Sequence, residues 1–390
     1  MSESEPLMEG RSPLLVTGYL RSGTTLLEKL LHAHDQVSVG AQPAPLLFVR
    51  LKELFLEERG LEAAEYPLNH LFLEDRYRKE EFELFLRERT VTVRELLAVL
   101  ERLKPYSGWK TPALERHWSR LRPGPLIDLL RQLTSILSEL HRKPGASVRG
   151  AKEVLCEEFI PYLLRAGAKV VLVVRDVRDV IASLTSGRSA EFVGRSVPTL
   201  YAIRRWRMSV AFGLAHEHQE RFLLVRYEDL VRRFSPTLLR LTGFLGLPPF
   251  QEDAFEQGIF DQSGALWKGN SSFGEFKVVD DRSIGSYQRV LPEECLRFVE
   301  LLAGPELRAL GYLPRANPDP DQVARIAATF NEPVPCTREQ FTPDYSTDSV
   351  RVEQERARLE ALVSGLPTHA IPAWFVYDAA YERLREACRG

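Results

Sequence analysis

The sequence predicts an α/β fold in which a P-loop-type parallel β-sheet is flanked by helices, with a helical insertion and a helical C-terminal extension. Three observations predict it. A short apolar run at Pro13–Gly18 leads into a glycine-bounded turn, Ala168–Arg175 is a continuous β-branched run, and amphipathic helical patterns separate the strand candidates. Alternating strands and helices favour a parallel sheet covered by helices on both faces.

The composition of the chain bears on its binding partners and on its location in the cell. The 390 residues carry a net charge of −2, with 44% apolar and 27% charged residues, as in ordinary globular proteins. We therefore expect no nucleic-acid partner. No run approaches the roughly 20 apolar residues of a membrane span, and the polar, acidic start has no signal-type apolar stretch, so we expect no membrane span and a cytoplasmic location.

The cysteines argue against a structural metal site. They are far apart and form no C-x-x-C pair, so the sequence predicts neither a zinc site nor a dithiol redox site, and a reducing compartment is the simpler interpretation. The four positions are Cys156, Cys295, Cys336 and Cys388.

The first third of the chain begins the sheet and then becomes helical. We expect a flexible tail over residues 1–12, a buried strand at Pro13–Gly18, a helix from Thr24 to about His34 and a short strand at Gln36–Gly40. Amphipathic patterns then dominate to about residue 142, which predicts a helical insertion over about 45–142.

The remaining chain returns to the α/β pattern. Strand candidates are "SVRGAKEV", Ala168–Arg175 and "RFLLVRY", and "LPEECLRFVELLAGPELRALGY" is a closing helix. The predicted α/β domain covers residues 13–314. The tail at 315–390 follows a Pro-rich linker and is predicted as a helical C-terminal extension.

A phosphate-binding loop is predicted after the first strand. Gly18 to Gly23 matches G-x-x-x-x-G and precedes a helix, whose positive N-terminal end suits a phosphate or sulfate group. The lysine of a nucleoside-triphosphate loop is absent, and Arg21 inside the loop supplies the cation. The alternative is a tight strand–helix turn with a capping serine.

A second anion site is predicted at the end of the strongest strand. Arg175 ends the run "AKVVLVV", and Ser183 follows eight residues later on the same helix face. Ligands of open parallel sheets lie beyond the carboxyl ends of the strands, so Arg175 and Ser183 are placed beside the loop. The alternative for Arg175 is an ion pair with Asp176 or Asp179.

Four blocks together resemble one enzyme family. They are "GYLRSGTTLLEKLLHAH", "RDVRDVIAS", "VRYEDLV" and "SIGSYQRVLPEE", and they lie in order between Leu14 and Tyr312. The set is similar to sulfotransferases that use 3′-phosphoadenosine 5′-phosphosulfate (PAPS), especially bacterial and tyrosylprotein sulfotransferases. The resemblance implies PAPS as donor, adenosine 3′,5′-bisphosphate (PAP) as product, and no metal.

The resemblance also implies residue roles in binding PAPS. The phosphosulfate would contact Arg21, Ser22, Gly23, Thr24, Thr25 and Leu26. The 3′-phosphate and its surroundings would contact Arg175, Ser183 and Tyr227. Alignment with tyrosylprotein sulfotransferases places Ser271 at a nucleotide-contacting serine and Ser286 where those proteins have a lysine.

The catalytic residues carry over only in part. Arg21 is predicted to stabilise charge on the leaving oxygen, with Lys152 as the second cation. Relatives place a glutamate or a histidine base where this chain has Gln42 or Val154. Remaining bases are Glu153, Glu157 and His117. Glu153 ranks first because it adjoins Lys152, although neighbours in a strand point to opposite faces.

The predicted function is transfer of a sulfuryl group from PAPS to a hydroxyl, or as a second choice an amine, of a small-molecule, lipid or natural-product acceptor. Two alternatives stay open. A P-loop kinase would need a lysine after Gly23 and acidic magnesium ligands. A nucleotide-binding protein of this fold without catalysis would account for the missing base.

Overall fold

One parallel sheet forms the centre of the fold. The structure, a computed structural model, describes residues 12–43, 45–60, 79–110, 114–187, 197–269, 279–336, 349–367 and 375–389. Within these ranges the sheet has five strands in the order β2-β3-β1-β4-β5, and every pairing is parallel. The strands are β1 (Leu14–Thr17), β2 (Val37–Ala41), β3 (Val148–Lys152), β4 (Lys169–Val174) and β5 (Phe222–Arg226). The predicted α/β fold with a parallel sheet is confirmed.

The helices of the described residues fall into two groups along the chain. Eleven are interspersed with the strands or follow the last strand within the α/β part: α1 (Thr24–Ala33), α2 (Pro45–Glu57), α3 (Lys79–Glu88), α4 (Val93–Lys110), α5 (Leu126–Leu140), α6 (Ile160–Arg165), α7 (Val177–Leu184), α8 (Thr199–His216), α9 (Tyr227–Arg232), α10 (Phe234–Leu245) and α11 (Tyr287–Val290). The later ones are α12 (Glu293–Ala309), α13 (Val323–Thr329), α14 (Ser349–Ser364) and α15 (Asp378–Arg389). Helices α2 to α5 form the predicted insertion between β2 and β3.

Apolar side chains of the central strands alternate between two cores. In β4, Val170 and Leu172 belong to one cluster, whereas Val171 and Val173 belong to the other. Because successive strand residues point to opposite faces, the sheet is buried on both sides, as a parallel sheet between helices requires.

The strand order sets the geometry of one edge. Strand β1 lies between β3 and β4, with Val16 opposite Lys152 on one side and Thr17 opposite Leu172 on the other. The segments that follow these three strands therefore meet at their carboxyl ends, where ligands of such sheets bind. The glycine loop after β1 thus lies between Lys152 and Arg175.

The C-terminal helices are built into the larger core. Leu359 of α14 and Tyr381 of α15 are fully buried in the same cluster as Trp206 of α8 and Phe298 of α12. The boundary predicted near residue 314 stays a prediction, because this core continues across it. None of the described helices combines the length and apolar character needed to cross a bilayer.

A buried ion-pair cluster joins α14 to α8. Glu355 is 3% exposed and accepts hydrogen bonds from Arg204 Nε at 2.7 Å and from Arg207 Nη1 and Nη2 at 2.7 and 2.9 Å. Burial alone would raise the pKa of Glu355, but the guanidinium groups of Arg207 and Arg204 lower it to about 2. Glu355 is therefore ionised at neutral pH.

Candidate active site

Two glycines shape the loop between β1 and α1. Gly18 has φ +150°, and a Cβ there would lie 2.3 Å from the carbonyl oxygen of Val173 in β4. Gly23 has φ +95°, and a Cβ there would lie 2.3 Å from Cδ2 of Tyr227. The loop thus packs directly on β4 and on the residue that follows β5. Arg21, between the glycines, adopts φ +65°, an uncommon conformation for a side-chain-bearing residue.

Substitution of Gly23 by alanine should destabilise the protein and impair the site together. The new methyl group must displace the Tyr227 ring, and the positive φ adds strain, so we expect a loss of about 1–3 kcal/mol in unfolding free energy. Urea unfolding measures it.

Gly243→Ala is the matched control, because this exposed glycine within α10 has no neighbouring atom within 4 Å of its Cβ position. There we expect no loss, and a gain of up to about 1 kcal/mol from helix propensity. Equal effects of the two substitutions would contradict the packing described for Gly23.

Arg175 is held at the carboxyl end of β4 by contacts from three segments. It is 5% exposed. Its Nη1 donates to the carbonyl of Arg21 at 3.2 Å, and its Nη2 donates to the carbonyl of Ser283 at 2.5 Å. Its guanidinium carbon lies 4.6 Å from the centre of the Tyr227 ring, within cation–π range. The nearest carboxylate oxygen of Asp179 is 3.9 Å away.

A core tryptophan fixes the backbone of Arg175. Trp206 is completely buried, and its indole N–H donates to the Arg175 carbonyl at 2.8 Å. Its complete burial makes Trp206 a core residue and not a stacking surface for a ligand. The tryptophan also helps to position the arginine.

Two guanidinium groups meet in the site. Arg21 Nε donates to Ser183 Oγ at 2.9 Å. Burial and the neighbouring charge of Arg175 lower the pKa of Arg21 to about 10, so Arg21 stays cationic at neutral pH. Two buried like charges are destabilising unless an anion offsets them. This pairing favours an anionic ligand.

Most of the predicted ligand-contacting residues line one pocket. Its walls are Arg21, Gly23, Thr24, Thr25, Leu26, Arg175, Ser183, Tyr227, Trp267, Gly269, Val279, Asp280 and Ser283. Ser22 is not in this lining, and its buried Oγ has no hydrogen-bond partner among the described residues. Ser286 is fully buried and donates its hydroxyl to Asp179 at 2.9 Å, away from the pocket. Ser271 lies outside the described residues.

The predicted catalytic lysine and its neighbour lie beside the end of β1 and do not line the pocket. Lys152 is 3% exposed and donates from Nζ to Gln42 Oε1 at 3.3 Å, while the Gln42 N–H donates to the Lys152 carbonyl at 2.7 Å. Gln42 has φ +48°, so the backbone at this edge is strained. Glu153 is 1% exposed, and its N–H donates to the Val16 carbonyl at 2.9 Å.

Glu157, another predicted base, is part of the core. It is fully buried and accepts a hydrogen bond from Ser209 of α8. Burial raises its pKa, and the charge of Arg205 counteracts this only in part. His117, in a 3-10 turn of the insertion, is partly exposed.

The sequence analysis placed the block that begins at Ser283 in the family pattern but did not identify Ser283 as a contact of Arg175 and Tyr227. Ser283 accepts from Arg175 through its carbonyl and shares a hydrogen bond with the Tyr227 hydroxyl at 2.8 Å. One residue in the sequence could have indicated this contact. Asp179 lies one helical turn after Arg175, and a carboxylate buried there needs hydrogen-bond donors from another segment.

The site offers hydrogen-bond donors that suit a phosphate-bearing nucleotide. The first turn of α1 begins at Gly23 without a side-chain cap, so its N–H groups are available to an anion. Arg175 Nε is buried and has no partner among the described residues. Within those residues no group of three or more His, Cys, Asp or Glu side chains could hold a metal ion. These donors fit an anion with more than one charged group.

Comparison with known proteins identifies the family. The model of the family described as "Sulfotransferase family" matches residues 13–252, more than half of the chain. The chain belongs to the sulfotransferase family. Its members are transferases that move sulfuryl groups, and the matched range of this sulfotransferase contains the glycine loop, Arg175, Ser183 and Tyr227.

Several solved structures are similar to this sulfotransferase. The sulfotransferase domain from the curacin biosynthetic pathway is 19% identical, with a TM-score of 0.42, and the match covers 78% of this chain and 99% of that one. The sulfotransferase domain of the Synechococcus PCC 7002 olefin synthase is 20% identical, with a TM-score of 0.42 and coverages of 77% and 98%. Retinol dehydratase in complex with retinol and PAP is 19% identical, with a TM-score of 0.38 and coverages of 77% and 82%. No curated protein matches the chain significantly.

Proposed function

We propose that this sulfotransferase moves the sulfuryl group of PAPS to a hydroxyl, or as a second choice an amine, of a small-molecule, lipid or natural-product acceptor, and releases PAP. The observation that carries the proposal is the pairing of Arg21 and Arg175 in one pocket beside the uncapped first turn of α1. A donor with a phosphosulfate at one end and a 3′-phosphate at the other offers anions to both.

The two ends of the donor are assigned to different elements. The phosphosulfate is placed at the first turn of α1, against Thr24 and Thr25, where backbone N–H groups and the helix dipole favour negative charge. The 3′-phosphate is placed at Arg175 and Ser183. Arg21 is placed between the phosphosulfate and the 3′-phosphate. Its backbone belongs to the glycine loop, and its guanidinium donates to Ser183.

The reaction is an in-line displacement at sulfur. A bond forms between the acceptor oxygen and sulfur, the bond from sulfur to the bridging phosphate oxygen breaks, and the acceptor proton passes to a base. Negative charge grows on the bridging oxygen, so Arg21 and Lys152 are assigned to stabilise it. Glu153, which follows Lys152, is kept as the proposed base.

Gln42 cannot take the proton. The Lys152 ammonium group can only donate, so the amide oxygen of Gln42 must be the atom that faces it. The amide NH₂ then points elsewhere and can only donate a hydrogen bond. In the proposed reaction Gln42 holds Lys152 and orients an acceptor oxygen.

Ligand-dependent melting tests the proposal. We expect PAP to raise the melting temperature, because a ligand at a hundredfold excess over Kd stabilises the native state by about 2.7 kcal/mol. ATP with magnesium is the comparison. A shift with ATP and magnesium alone would favour a P-loop kinase, and no shift with PAP would contradict the proposed donor. Transfer of labelled sulfate from PAPS to a panel of hydroxyl acceptors then tests the reaction itself.

A further inference from the structure

One buried carboxylate organises a turn that lies far from it in sequence. Asp179 on α7 is 1% exposed. Its carboxylate accepts hydrogen bonds from the Gly285 N–H at 2.8 Å, the Ser286 hydroxyl at 2.9 Å and the Tyr287 N–H at 3.1 Å. Three donors from consecutive residues converge on one side chain, so Asp179 determines the conformation of the 283–287 turn.

The same turn reaches the pocket. Ser283 holds Arg175 through its carbonyl and Tyr227 through its hydroxyl. Both of these residues line the pocket, and the Arg175 guanidinium lies against the Tyr227 ring. Asp179 does not line the pocket. Its contacts therefore reach Arg175 mainly through the turn.

Asp179 could affect the affinity for an anionic ligand through its charge or through the position of the turn, and these two roles predict opposite effects. The carboxylate is 3.9 Å from Arg175, too far for a hydrogen bond. If Asp179 acted mainly through its charge, it would offset the arginine and weaken binding of a phosphate. If it acts through the turn, it strengthens that binding by keeping Arg175 in place. The sign of a charge-removing substitution separates the two.

We propose that Asp179 is a positioning residue for the 3′-phosphate, acting through the 283–287 turn on Arg175 and Tyr227. The inference rests on the proposed function, because it takes a nucleotide 3′-phosphate as the partner of Arg175. It makes selectivity for the 3′-phosphate depend on a residue that does not contact the ligand.

Calorimetric titration of Asp179→Asn with PAP and with adenosine 5′-monophosphate tests the inference. The two nucleotides differ by the 3′-phosphate, so their affinity ratio reports that subsite alone. Asparagine keeps one acceptor but turns an NH₂ group toward the donors of the turn. We expect the affinity for PAP to fall about tenfold, equivalent to about 1.4 kcal/mol, and the affinity for the monophosphate to stay nearly constant.

Two further variants keep the test informative. Ser286→Ala removes one of the three donors and should lower the ratio in the same direction by a smaller factor, even if Asp179→Asn does not fold. Asp176→Asn is the matched control. Asp176 is a buried carboxylate at the N-cap of the same helix, and it accepts hydrogen bonds from the backbone N–H and the guanidinium of Arg178, not from the 283–287 turn, so its loss should change stability and not the ratio.

The outcomes separate the inference from the function on which it rests. A wild-type protein that binds both nucleotides equally overturns the proposed 3′-phosphate site and the inference with it. A wild-type preference for PAP that survives in both Asp179→Asn and Ser286→Ala overturns the inference alone. Tighter PAP binding by Asp179→Asn, or an equal loss for both nucleotides, also overturns it.

Discussion

Arg175→Ala is expected to weaken PAP binding by about two orders of magnitude while the protein stays folded. The guanidinium is almost completely buried and donates to the Ser283 carbonyl, so its removal leaves a phosphate without charge-assisted hydrogen bonds from this side chain. Such bonds contribute about 1.5–3 kcal/mol each. Isothermal titration with PAP measures the loss, and circular dichroism confirms the fold.

Two comparison variants identify the cause of that loss. Arg175→Lys keeps the charge but not the planar fork, so its affinity should lie between those of the wild type and the alanine variant. Arg282→Ala removes an exposed arginine that pairs with Asp280 at the rim of the pocket, and binding should be nearly unchanged. If Arg175→Ala binds PAP within threefold of the wild type, the assignment of the 3′-phosphate is wrong.

Glu355→Gln is expected to lower the free energy of unfolding by about 3–5 kcal/mol. The substitution leaves the buried guanidinium groups of Arg204 and Arg207 without their shared carboxylate, and breaking one side of a buried ion pair has costs of this size. Urea unfolding at neutral pH measures it. Glu353→Gln on the same helix is the control, because its pair with Arg356 is on the surface and should contribute nothing measurable.

The stability that Glu355 contributes should depend on pH in the acid range. The pKa of Glu355 is about 2 in the folded protein, against an ordinary value of 4.5. A lowered pKa means that its stabilising contribution is complete above the ordinary value and is lost as the pH falls from about 4.5 through 2. The wild type should therefore lose its advantage over Glu355→Gln across this window. A constant difference between pH 7 and pH 3 would contradict the ion-pair geometry.

Local patterns predicted the sheet and the loop because local chemistry determines them. The β-branched run of β4 is buried as a central strand, and Gly18 is required by the close approach of the loop to the β4 backbone. Arg175 and Ser183 could be placed beside the loop because parallel strands share one edge.

Long-range side-chain contacts were not predictable in the same way. Ser286 was placed at the nucleotide by alignment, yet its hydroxyl bonds to Asp179, more than 100 residues earlier. The Glu355 cluster joins segments about 150 residues apart. Nothing in the pattern around Glu355 distinguishes it from an exposed helix glutamate, because the arginines that bury it belong to another helix. Hydrophobic periodicity carries no information about such partners.

Helix α8 has a consequence for how the protein is made. Almost every residue of this helix is buried. Its residues Arg204 and Arg207 pair with α14, which begins at Ser349. A ribosome adds about 5–20 residues per second, so α8 emerges several seconds before the chain that covers it. During that interval its apolar and cationic face is open to water and to other proteins. Chains stopped before Ser349 should therefore collect as aggregates or on chaperones, and the native core closes only after α14 has left the ribosome.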